Sequence, residues 1–129
     1  MTAAPTLSKQ ERIVSKRLIE MLFGNGDSKS RSAFPLRAVY LQTARQAGCA
    51  PIQILISVPK KRFKHAVDRN RVKRQVREAY RRHKQILEGA VAEDGQLLIA
   101  FIWLSDRHCP SSEVEKRVVS LLQQINKNL

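Results

Sequence analysis

Acids are scarce in this chain of 129 residues: 11 Asp and Glu stand against 24 Lys and Arg, for a formal net charge of +13. The acids are scattered, so no carboxylate pair presents itself for metal-ion or acid–base catalysis. Cysteine is almost absent. Cys49 and Cys109 fall in expected loops, with no CxxC and no histidine at ligand spacing, which points to a reduced, cytoplasmic chain rather than a disulfide or zinc framework. No apolar run reaches membrane-spanning length, and the opening M-T-A-A-P-T-L-S-K has no apolar stretch of a signal peptide. The patterns G-x-x-x-x-G-K-[ST], G-x-G-x-x-G and H-E-x-x-H are all missing. Of the three histidines, His83 reads as packed on a helix, His65 stands among cations and His108 lies in a loop. The polypeptide shows no active site of its own.

What is present is one folded domain, 1–129, with 43% hydrophobic residues and no repeat, low-complexity segment or linker. Its charge is concentrated. Between Lys60 and Lys84 stand twelve Lys and Arg but only two acids, Asp68 and Glu78. Such a density is a footprint for a polyanion, of which a phosphate backbone is the commonest. The segment also has helical period. At about 100° per residue, Val72, Val76, Ala79, Tyr80, His83, Ile86 and Leu87 share one side. Asn70, Lys73, Arg74, Arg77, Arg81 and Lys84 share the other, a basic stripe about four turns long. Arg69 lies beside the apolar side, roughly 160° from Arg71, so the two arginines should do different jobs. An ordinary solvated helix would interleave Glu with Lys at i,i+4, which this stripe does not.

Along the rest of the chain, Ser8-Lys9-Gln10-Glu11 reads as a capping box for a first helix with Val14, Leu18, Met21 and Leu22 inward, ended by Gly24-Asn25-Gly26. Ile19 and Phe23 form an i,i+4 pair on its other side. They are either a second buried contact or a stacking edge for an unpaired base. Residues 28–32 read as a loop or short edge strand, and Ala33 to Thr43 as a strand with Pro35 near its start. Ile52, Ile54, Ile56 and Val58 alternate towards a core, leaving Gln53, Leu55 and Ser57 on an open sheet face. After a turn at 88–95, the apolar run Gln96 to Leu104 suggests a strand covered on both faces. Ser112-x-x-Glu115 reads as the cap of a last helix. The expected architecture is a single-domain α+β sandwich, with helices on a mostly antiparallel sheet in the order helix, strands, basic helix, strand, helix.

The stretch V-P-K-K-R-F-K-H-A-V-D-R-N-R-V-K-R-Q-V-R-E-A-Y-R, from Val58 to Arg81, resembles the signature of the bacterial ribonuclease P protein subunit. More loosely, so do the opening helix ending in L-F-x-x-G, the P-L-R-A-V-Y strand, the late apolar strand and the closing L-L helix. The departure is the join R-F-K-H at 62–65, where many members have a shorter link with Gly and Asn. The resemblance implies a ribosomal-protein-like fold whose crossover through the basic helix is left-handed. It also implies an RNA-binding subunit, monomeric when free, that helps a catalytic RNA remove the 5′ leader from precursor tRNA. Mg²⁺ would act through that RNA. Carried over by position, Arg69, Asn70, Arg71, Lys73, Arg74, Arg77 and Arg81 are expected to contact the catalytic RNA. Phe23, Tyr40, Ser57, Lys60 and Lys61 are expected to hold the leader. A ribosomal type of RNA-binding protein and a protein nuclease are the competing classes. The first shares the charge without needing an open sheet face, and the second lacks its carboxylate or histidine constellation.

Overall fold

The computed structural model describes residues 13, 16–24, 28–44, 50–91 and 93–129. Its elements are α1 (Lys16–Gly24), β1 (Lys29–Ala33), β2 (Leu36–Ala44), β3 (Ile52–Ser57), α2 (Ala66–His83), β4 (Gly95–Trp103) and α3 (Ser111–Lys127), with a 3-10 turn at Lys84–Ile86. The strands form one sheet in the order β1-β2-β4-β3. β2 runs antiparallel to both β1 and β4, and β3 runs parallel to β4. This is the expected α+β architecture.

The two sheet faces are covered unequally. Ile52, Ile54, Leu97, Ile99, Phe101 and Trp103 point to one face and pack with Val72, Val76 and Tyr80 of α2 and with Val118, Leu121 and Leu122 of α3. Among the described residues, the other face is covered by the nine residues of α1 and by Ile13. There Leu18 and Leu22 pack on Val39 and Leu41 of β2 and on Leu98 and Ala100 of β4, joined by Ile13. The Ile13 N–H donates to the Ile54 carbonyl at 2.8 Å, covering part of the free edge of β3. β4 is buried on both faces, which is why its sequence is an unbroken apolar run.

Several expectations shift in detail. The strand predicted over Ala33 to Thr43 divides at a turn of Phe34 and Pro35, and residues 29–33 form an edge strand carrying Lys29 and Arg31. The basic α-helix stops at His83, so Ile86 and Leu87 reach the core through the 3-10 turn. The capping box at Ser112 does not form. The N-cap position falls two residues earlier, on Pro110, so the helix begins at Ser111 with no side-chain cap, and Glu115 turns to α2 instead. The sheet face expected to be open is partly closed: Gln53 is buried, accepting a hydrogen bond from Gln96 at 3.2 Å. Leu55 is half-buried against the α1 cluster. The capping box at Ser8, Val14, the Asn25-Gly26 stop and Cys49 lie outside the described residues.

The hand of the β3–α2–β4 crossover follows from one hydrogen bond. In a strand of L-residues running upwards, a residue whose side chain points at the observer directs its N–H to the right. Leu97 points its side chain to the α2/α3 face, and its N–H donates to the Pro51 carbonyl at the foot of β3, at 2.8 Å. With that face towards the observer, β3 therefore lies to the right of β4. The chain climbs β3, descends in front through α2 and climbs β4 on the left. That path is left-handed, against a right-handed preference of about 98% for such connections.

Candidate nucleic-acid interface

α2 sorts its side chains into three strips. Val72, Val76, Ala79 and Tyr80 are buried against the sheet. On the strip facing α3 and the 105–110 loop, the polar side chains meet partners across the helix interface. Asp68 pairs with His108 Nε2 at 3.0 Å, and Gln75 donates to the Cys109 carbonyl and the Ser111 hydroxyl. Glu115 receives Arg82 at 3.4 Å and His83 at 2.7 Å. The hydrogen bond from His83, aided by the charge of Arg82, holds the Glu115 carboxyl below the usual glutamate range.

The outward strip is the basic stripe. Asn70, Arg71 and Arg74 are exposed, while Lys73, Arg77 and Arg81 are half-buried. Its acid, Glu78, is taken by Arg81, whose Nε lies 2.9 Å from the carboxylate. The hydrogen bond from Arg81 lowers the pKa of Glu78, and the same contact raises that of Arg81. Among the described residues, Arg71, Lys73 and Arg74 have no carboxylate within ion-pair distance. The strip thus presents cations that nothing in the described chain neutralises, which is what an external polyanion requires.

Arg69 turns away from this strip, as its angle on the helix implied. Its guanidinium donates to the Phe63 and Lys64 carbonyls at 2.8 and 3.0 Å. It pins the 62–65 join to the start of α2. The join is fixed twice more: Arg62 pairs with Asp106 at 3.4 Å, and the Phe63 ring stacks on His108 at 4.5 Å between centroids. Just before it, Lys60 and Lys61 are exposed in a turn closed by the Arg62 N–H and the Pro59 carbonyl at 3.0 Å. The anchored join therefore sets where these two cations stand relative to α2.

The expected leader residues divide. Phe23 is 48% exposed on α1, the helix that covers the sheet face to which Ser57 points. Ser57 is half-buried at the end of β3, with Lys60 and Lys61 three and four residues on. Tyr40 does not belong with them. It is 2% exposed and packs in the α2/α3 core, opposite Ile99 in the register, so its side chain is on the wrong face. Sequence reasoning also missed Arg37, exposed on the same face as Ser57. The strand register places it, setting Arg37 opposite Ile102 and out of phase with Leu36, Ala38 and Tyr40.

Comparison with known proteins decides between the classes that share this charge. The sequence profile of the family described as Ribonuclease P matches residues 7–126. The ribonuclease P protein component of Porphyromonas gingivalis is 41% identical over 133 aligned positions, covering 100% of this chain and 94% of that one. The chain belongs to the ribonuclease P protein family. It is thus a protein subunit of the endoribonuclease that matures tRNA 5′ ends. The ribonuclease P protein component of Chlorobium phaeobacteroides is 36% identical, over 91% of this chain and 85% of its own. The RNase P protein from Thermotoga maritima has the same fold, with a TM-score of 0.65 at 23% identity over 88% of this chain and 96% of that one. An RNase P protein mutant of Staphylococcus aureus superposes with a TM-score of 0.65 at 19% identity, over 92% of this chain and 90% of that one. Among the described residues, no helix is long and apolar enough to cross a membrane, and no group of three or more His, Cys, Asp or Glu could hold a metal ion.

Proposed function

We propose that the outward strip of α2 docks this chain on the catalytic RNA of ribonuclease P, while the sheet face beside α1 holds the 5′ leader of precursor tRNA. The observation that carries the first half is the run of cations Arg71, Lys73 and Arg74, two exposed and Lys73 half-buried, that meet no carboxylate on a helix whose acids are already paired. Asn70, Arg77 and Arg81 extend it, and Arg69 acts chiefly by fixing the join. Duplexed, folded RNA is contacted mostly through its backbone, which suits a nearly all-cationic surface. The leader surface mixes the half-exposed ring of Phe23, the Ser57 hydroxyl and the Lys60–Lys61 pair. That mixture suits unstacked nucleotides: rings stack on bases, cations meet phosphates, and little sequence preference results.

In this reading the hydrolysis belongs to the RNA, and Mg²⁺ bound there supplies the metal-ion chemistry. The residues of the chain bind and orient. They neutralise backbone charge where substrate and catalytic RNA approach each other and hold the leader. The chain works in the cytoplasm and is a monomer until it meets the RNA. The test is the salt dependence of binding to the catalytic RNA. With about six phosphate contacts, log K should fall by roughly four to five per tenfold rise in salt. A slope shallower than about −2 removes the α2 strip as the principal contact.

A further inference from the structure

The strand register defines a feature that crosses the whole sheet. Ser57 of β3 pairs with Ile102 of β4, Ile102 with Arg37 of β2, and Arg37 with Ser32 of β1. Directly opposed residues share a face, so these four side chains form one row on the α1 side of the sheet. The α1 cluster takes up the two rows below, those of Leu98 and Ala100. At the next row cover gives out: Ser57 and Ile102 are half-buried, whereas Arg37 and Ser32 are exposed. The row lies at the C-terminal ends of β3 and β4, beside the Lys60–Lys61 turn.

Arg37 is the one cation of that row. Its partners are few: Nη2 donates to the Ser30 hydroxyl at 3.5 Å, and among the described residues no carboxylate pairs with it. Two strand spacings of about 4.8 Å separate it from Ser57, so it stands roughly 10 Å across the sheet from the hydroxyl. Ile102 between them offers an apolar floor.

We infer that Arg37 is a phosphate contact for the single-stranded leader, at the far end of a track that enters at Lys60–Lys61 and crosses Ser57 and Ile102. The inference rests on the leader surface proposed above and adds its direction, perpendicular to the strands, and its second cationic end. A cation at each side of an apolar and hydroxyl-lined strip matches a backbone that runs across the sheet while its bases lie on it.

The experiment uses holoenzyme reconstituted with the catalytic RNA and either wild-type protein, Arg37→Ala or Arg37→Lys. Each binds precursor tRNA with a leader and the same tRNA without one, over a series of salt concentrations. Arg37→Ala should weaken leader-bearing tRNA roughly fivefold at ~0.1 M salt and flatten its salt slope by about 0.7, the value for one single-strand phosphate. Leaderless tRNA and assembly with the catalytic RNA should be unchanged, and Arg37→Lys should restore most of the loss. An unchanged slope for leader-bearing tRNA overturns the role of Arg37, as does an equal loss for both ligands. If wild-type holoenzyme itself fails to discriminate the two ligands, the leader surface falls and Arg37 with it. Discrimination that survives Arg37→Ala intact refutes the Arg37 contact alone.

Discussion

The two polar flanks of α2 both carry cations on one helix, yet those cations have opposite fates. On the flank facing α3, Asp68, Arg82 and His83 each meet a partner, and Glu115 gathers two of them. On the outward flank, Arg71, Lys73 and Arg74 meet no acid among the described residues. The difference teaches that pairing is set by what the helix packs against rather than by its own composition. Surface ion pairs contribute little, about 0–1 kcal/mol each, so the inner flank serves mainly to orient α2 against α3. The unpaired cations of the outward flank raise the electrostatic energy of the free protein.

The buried strip between the flanks sets the largest expected effect. Val76 is 0% exposed, and Val76→Asp places an unpaired charge there, at a cost of about 4 kcal/mol or more. The thermal midpoint should fall steeply, with RNA binding lost only because the fold is. A next step down is the outward flank itself. Arg74→Ala with Arg77→Ala should weaken binding to the catalytic RNA roughly 25- to 60-fold at ~0.1 M salt, about one counterion release per side chain. The midpoint, read by calorimetry, should fall by no more than a few degrees, since Arg74 is exposed and Arg77 only half-buried. An unfolded double variant would show that the two flanks are not separable.

The same contrast of inward and outward holds for two aromatics. Phe23→Ala should cost leader-bearing tRNA about 1–2 kcal/mol, or roughly 5- to 30-fold, and spare leaderless tRNA. Tyr40 serves as the opposite control. Its hydroxyl is buried with no partner among the described residues, so Tyr40→Phe should leave stability unchanged or slightly higher and leader binding unaltered. A leader-specific defect in Tyr40→Phe would put that ring back in the substrate surface.

The smallest effect belongs to the paired flank and is read by pH. Glu115 has its pKa lowered first by the hydrogen bond from His83, and Glu78, the acid of the outward flank, is lowered in the same way by Arg81. A carboxyl lowered in the folded state contributes stability that is complete above its unfolded pKa and lost as pH falls through the folded one. Midpoints should therefore decline on acidification below about pH 4.5. Glu115→Gln should flatten part of that decline while leaving affinity for the catalytic RNA in place, and a matching loss of affinity would mean that the inner flank also touches RNA.

Much of the architecture was legible in the residues. The buried strip of α2 has clear contrast, because apolar and cationic positions alternate at helical period, and Val72, Val76, Ala79 and Tyr80 are the four α2 residues that the fold buries. β3 was legible for the same reason: Ile52, Ile54 and Val58 are set against Gln53 and Ser57. β2 was not. Ala38, Val39, Tyr40 and Leu41 are all buried, so a period of two has nothing to contrast, and the face of Tyr40 could not be read from its strand. Likewise Ser112 and Glu115 spell a cap, but the helix begins at Ser111 and Glu115 finds His83 32 residues away.

By themselves, then, the residues determined the elements, the cationic strip of α2 and the distinct jobs of Arg69 and Arg71, because each depends on periodicity within a single segment. Tertiary structure alone decided the face of Tyr40, the anchoring of the 62–65 join by Asp106 and His108, and the row that aligns Arg37 with Ser57. It also decided the hand of the crossover, which turns on the side to which the Leu97 N–H points. Each of these is a relation between segments brought together by strand pairing and helix docking. Register and packing partner are not local properties of a chain.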